Sequence, residues 1–140
     1  MDIPKLVDLL FPILNFVSNG DMVHKSIVIQ HLVDHFQLSI DEQEATLPSG
    51  KGRIIENRYN WATVELVGAK LLSRPQPSHI KITEGGLKQL RKNPGHLGWP
   101  DLRDLDAYRA WLTKKQQPYT EEDEDPTSSR KSATATVEDV

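Results

Sequence analysis

Arg53-Ile54-Ile55-Glu56-Asn57-Arg58-Tyr59-Asn60-Trp61-Ala62, running on through Leu66 and Ala69 to His79-Ile80-Lys81, is the stretch that decides the fold. Ile55, Tyr59, Ala62, Leu66 and Ala69 are spaced four, three, four and three apart. At about 100° per residue they share one arc of roughly 80°, the buried stripe of a long helix. The opposite face centres on Arg53, Asn57, Asn60 and Val64. Arg and Asn are the side chains that read guanine and adenine edges in the major groove. Behind the helix, Leu71–Arg74 and Ile80–Ile82 read as strands joined by Pro75-Gln76-Pro77-Ser78, a turn too rich in proline for a two-residue hairpin. The pattern predicts a mainly α, winged helix-turn-helix fold with a small two-stranded β wing and extra C-terminal helices.

Charge singles out the same region. Residues 1–50 carry two Lys and seven acids, and residues 119–140 carry two basic and seven acidic residues. Between them, residues 51–92 hold nine Lys/Arg against three Glu, so a net charge of −3 conceals a positive block. Such a block on a helix and hairpin is the electrostatic footprint of a nucleic-acid binder. Lys51, Arg74, His79 and Lys81 occupy the loop before the helix and the wing after it, positions suited to phosphates. Arg58 and Trp61 lie on the flank of the helix, where Arg58 has both a structural and a DNA-contacting reading.

Upstream, Pro4 opens a helix carrying Leu6, Leu9, Leu10, Ile13, Leu14 and Val17, with Pro12 as a point of kinking. A second helix over 23–36 has Val23, Ile27, Leu32, Val33 and Phe36 as its buried set, and Ser39 to Glu42 is a capping box for a short third helix. Leu47 to Gly52 reads as a loop. Downstream, Thr83 caps a helix to Lys92 that Gly85 and Gly86 weaken, and a last helix spans 100–114 with Tyr108 and Trp111.

The domain therefore spans 2–115, and 116–140 has the acidic, aperiodic composition of a disordered tail. Cysteine is absent, which fits a reducing cytoplasm, and no apolar run is long enough to cross a bilayer as a helix. His31 and His35 have one-turn spacing but no third ligand at a recognisable offset, so no metal, cofactor or catalytic residue is expected.

Five linked segments carry a family resemblance. Leu47-Pro48-Ser49-Gly50, Asn57-Arg58-Tyr59-Asn60-Trp61-Ala62, Leu66 to Leu72, Ile82-Thr83-Glu84-Gly85-Gly86 and Asn93-Pro94 resemble, in order and spacing, the N-terminal domain of Mrr-type restriction endonucleases. One departure is Ala69-Lys70, where that family has Ala-Gly. Either Lys70 takes a strained turn or Gly68 takes over the bend. The resemblance implies a winged-helix module that brings a nuclease to double-stranded DNA, often methylated DNA. Cutting in that family belongs to a separate C-terminal nuclease domain with a Glu/Gln-x-Lys element. No Asp-x-Lys or Glu-x-Lys triplet occurs in the 140 residues, so the tail is expected to be a linker to that domain. The expected partners are double-stranded DNA, the chain's own nuclease domain and, for a two-fold symmetric target, a second copy in a homodimer. The alternatives are a protein-interaction or dimerisation winged helix, using Tyr108 and Trp111, and a free-standing transcription regulator.

Overall fold

In the computed structural model, which describes residues 2–114, the chain forms α1 (Leu6–Phe16), β1 (Val23–His24), α2 (Lys25–His35), α3 (Ile40–Glu44) and α4 (Ile54–Gly68). β2 (Leu72–Ser73), β3 (His79–Ile82), α5 (Glu84–Lys92), α6 (Trp99–Arg103) and α7 (Asp106–Lys114) follow. Helix α4 is the axis of the fold. Its expected stripe of Ile55, Tyr59, Ala62, Leu66 and Ala69 is buried against the fully buried leucines and isoleucine of α1 and against α2. A second side of α4 packs on α7, where the Tyr108 hydroxyl donates to Glu65 Oε1 at 2.6 Å in a dry setting. Burial, and then the neighbouring carboxylate, push the Tyr108 hydroxyl well above the ordinary tyrosine range.

The sheet has three strands rather than the two expected. Val23–His24, assigned from sequence to the second helix, pairs antiparallel with β3 through Val23↔Ile80 and His24↔His79. On the other edge of β3, β2 pairs through Leu72↔Ile82 and Ser73↔Lys81, giving the order β1-β3-β2. With the helical order around it, this is the winged-helix arrangement. Two residues of strand are too short to show an alternation in sequence, so β1 was legible only through its partner. Helix α2 consequently starts at Lys25 and buries Val28, Ile29, Leu32 and Val33, while Ile27, expected inside, is 55% exposed.

Other boundaries shift for local reasons. Helix α1 runs unbroken past Pro12, and it starts after Pro4, with Lys5 as its N-cap. Ser39 and Glu42 form the expected capping box, with Ser39 N donating to Glu42 Oε1 at 2.8 Å and Glu42 N donating to Ser39 Oγ at 3.1 Å. The expected 100–114 helix is two helices. Leu102 and Tyr108, both buried, would point about 120° apart on one straight helix, and a break at Asp104–Leu105 lets both face inward. The expected tail, 116–140, lies outside the described residues.

The junction between α4 and the wing decides where the wing goes. Lys70 N donates to Val67 O and Leu71 N to Leu66 O, both at 2.9 Å, the two bonds of a Schellman stop. Lys70 takes the left-handed conformation, φ 61°, and Gly68 stays helical. Gly68 serves another purpose, because a Cβ there would collide with the Trp111 ring. Gly86 is likewise required: a Cβ would meet the Leu71 carbonyl and lie 2.6 Å from Ile82 Cγ1. The glycine that weakens the first turn of α5 is what lets α5 lie on the sheet. Two outcomes are expected in chemical denaturation: Lys70→Gly raises stability by up to about 1 kcal/mol by relieving the left-handed lysine. Gly86→Ala lowers it by about 1–3 kcal/mol.

Candidate nucleic-acid interface

The loop between α3 and α4 is closed by a Thr46↔Arg53 bridge and by Leu47 N donating to Gly52 O at 2.9 Å. It presents Lys51 in solvent, directly before the exposed Arg53 at the N-cap of α4. The wing packs on α4 through β2. Its Arg74 is exposed as a residue, yet its guanidinium reaches back to donate to Thr63 Oγ1 at 2.7 Å. His79 is half-buried on β3, with Nδ1 2.8 Å from Pro77 O and its ring edge-on to His24 at 5.0 Å. Lys81 is exposed and its ammonium donates to Gly20 O at 2.7 Å, joining the wing to the loop after α1. Val64 is half-buried.

The face of α4 expected to be open is not a solvent face. Asn57 is 1% and Asn60 2% exposed, so neither side chain is presented to a groove in this conformation. The reason is the number of neighbours: α1, α2, α3, α7 and β2 all pack on α4, and Arg74 folds across it from the wing. Thr63, also buried, donates to Asn60 O at 2.7 Å. Arg58 is occupied as well. Its Nη1 donates to Ile3 O at 3.0 Å and Pro4 O at 2.8 Å, fastening the start of the chain to the middle of α4. Of the expected set, Lys51, Arg53, Arg74, His79 and Lys81 make a basic frame of loop and wing residues on either side of α4 in the chain, of which Arg74 and His79 line one cleft, while Asn57, Asn60 and Arg58 are built into the scaffold.

Two residues central to this frame were not singled out from sequence. Lys25, the first residue of α2, donates to Glu56 Oε2 at 2.9 Å, and Arg53 approaches Glu56 Oε1 at 3.4 Å. The Lys25 hydrogen bond, and to a lesser degree Arg53, hold the Glu56 carboxyl below its ordinary range against partial burial. Lys25 and Glu56 are 31 residues apart, and no local pattern joins them. Above this ion pair a cleft of about 410 Å³ opens between α4, the start of α2 and the wing, lined by Lys25, Tyr59, Asn60, Thr63, Arg74 and His79 among others. The buried Tyr59 hydroxyl has no hydrogen-bond partner among the described residues, and burial pushes it well above the ordinary tyrosine range while Arg74 pulls it partly back.

His31 stacks on Phe16 at 4.0 Å, and burial, then His35, lower its pKa. Among the described residues no group of three or more His, Asp or Glu side chains is arranged to hold a metal, and no helix is long and apolar enough to cross a membrane. From the Arg58 geometry, Arg58→Ala is expected to lower the urea midpoint by the equivalent of about 1.5–3 kcal/mol. At temperatures where the variant stays folded, its DNA affinity should be within about twofold of the parent, because the side chain belongs to the scaffold.

No curated protein and no solved structure matches the chain. The family model described as the Mrr N-terminal domain matches residues 7–92, from the first turn of α1 to the end of α5. That span contains the loop, α4 and the whole wing, and it ends before α6 and α7. On that match, over more than half of its length, the chain belongs to the Mrr N-terminal domain family.

Proposed function

We propose that this domain binds double-stranded DNA and serves as the targeting module of an Mrr-type restriction system, directing a C-terminal nuclease to DNA that carries methylated bases. The observation that supports this most is the basic frame: exposed Lys51 and Arg53 in the loop and N-cap before α4, and Arg74, His79 and Lys81 on the wing after it, in a domain of this family. Backbone phosphates are the natural partners of such a frame, since they fix register and supply most of the affinity. Arg53, exposed at the N-cap although 3.4 Å from Glu56, is the side chain in the expected reading set that is open to a base edge. With Asn57 and Asn60 buried, readout by their amides requires α4 to shed neighbours, so base contacts are assigned to Arg53 and to the loop before it. Val64 supplies the apolar contact proposed for a methyl group. The domain itself carries out no chemistry in this reading.

The docking alternative requires Tyr108 and Trp111 to form an apolar surface. Tyr108 is 4% exposed and bonded to Glu65, and Trp111 lies on Gly68, so those rings are engaged within the domain.

The test is binding of the 140-residue chain to matched methylated and unmethylated duplexes across a salt series. Arg74→Ala combined with Lys81→Ala is expected to reduce the log–log salt slope by about 0.9 for each phosphate no longer neutralised. Arg53→Ala is expected to relax discrimination between sequences by about 1–3 kcal/mol without removing non-specific binding. Absence of binding at low salt, or a slope indifferent to the wing pair, overturns the reading.

A further inference from the structure

We propose that the cleft between α4, the start of α2 and the wing is a built seat for one phosphate of the DNA backbone, and that Glu56 holds its lysine while DNA is absent. The proposal deepens the DNA-binding reading and rests on it. The cleft, about 410 Å³, is of ligand-site size. No carboxylate is among the residues that line it, and two cations meet across it: Lys25 from α2 and Arg74 from the wing. Tyr59 adds a hydroxyl, whereas the Thr63 proton is already donated to Asn60 O. The Thr63 oxygen already fixes the Arg74 guanidinium, at 2.7 Å. The Tyr59 hydroxyl is buried without a partner among the described residues, a donor kept dry at a standing cost to stability. A phosphate oxygen entering the cleft would accept from that hydroxyl.

Glu56 points to an anionic ligand for Lys25. Among the described residues it is the one carboxylate paired with Lys25, at 2.9 Å, and it also neutralises Arg53. A phosphodiester oxygen is an anion that takes the same ammonium in the same charge-assisted geometry. An extruded base fits less well. It needs flat faces to stack between, and a mixed edge of donors and acceptors. Tyr59 is 2% exposed, and the His79 ring is set edge-on to His24. The cleft is continuous with Arg74 and His79 of the wing, so the backbone that meets the wing is the backbone that fills it.

The experiment measures anisotropy of a labelled duplex across a salt series with Lys25→Ala, Tyr59→Phe and Glu56→Gln, beside Lys88→Ala on α5 as a control. Lys25→Ala should lower the salt slope by about 0.9. Tyr59→Phe should weaken binding roughly three- to tenfold at unchanged slope, and the free protein should melt no lower than the parent, because the deleted hydroxyl had no partner. Glu56→Gln should tighten binding severalfold, with most of the gain abolished in the Lys25→Ala background. Methylphosphonate substitution along the duplex should find one position whose penalty disappears in Lys25→Ala. If DNA still binds but Lys25→Ala and Tyr59→Phe behave as the parent does, the seat is wrong and the DNA-binding reading stands. If no form binds DNA, both fall. Competition by inorganic phosphate or a nucleoside monophosphate at sub-millimolar concentration would reassign the cleft to a free phosphate. Brightening of a 2-aminopurine in the duplex that depends on Tyr59 would reassign it to an extruded base. Either reassignment overturns the proposal.

Discussion

Packing on every side of α4 is the constraint from which the rest of the domain follows. One stripe, Ile55 to Ala69, lies on α1 and α2. A second side, carrying Glu65 and Gly68, takes α7 through the Tyr108 hydroxyl and the flat of Trp111. Arg58, between these sides, fastens the start of the chain. A helix so enclosed cannot expose an alternating polar face, and hydrogen bonds such as those of Glu65 and Thr63 replace water for its buried polar groups, though not, among the described residues, for the Tyr59 hydroxyl. Burial of Asn57 and Asn60 is therefore a consequence of the architecture.

Enclosure moves the outward-facing chemistry to the ends and edges of the helix. At the N-cap, Arg53 emerges beside Lys51. At the C-terminal end the Schellman stop turns the chain by way of a left-handed Lys70, so that β2 runs back alongside α4 and delivers Arg74 over Thr63. The sheet then carries β3 against β1, which places the start of α2, with Lys25, opposite the wing. The basic frame and the cleft inside it are thus built from three segments far apart in sequence. Glu56 sits among these cations and offsets part of their charge, which makes the frame less basic at rest than a count of its residues suggests.

Much of this was legible in the sequence because it is encoded over short distances. The 55–69 stripe, the capping residues Ser39 and Thr83, the loop at 47–52 and the wing between Leu72 and Ile82 are each written within a few residues of themselves. So was the tension at Lys70, where a left-handed stop lacks its usual glycine. The family resemblance, resting on motifs spread along these same elements, was legible for the same reason, and the match over 7–92 agrees with it.

What only the tertiary structure decided is which faces of α4 stay wet. Helical periodicity identifies the most apolar face and leaves the others to be assigned by default to solvent. Here they are claimed by Ile3, Pro4, Arg74, Tyr108 and Trp111, partners that lie up to 55 residues from the helix positions they meet. The two-residue strand β1, the break at Asp104–Leu105 and the Lys25–Glu56 pair belong to the same class. Each depends on a neighbour supplied by chain folding, because a polar or short segment carries no periodic signal and its energy comes from the group that meets it.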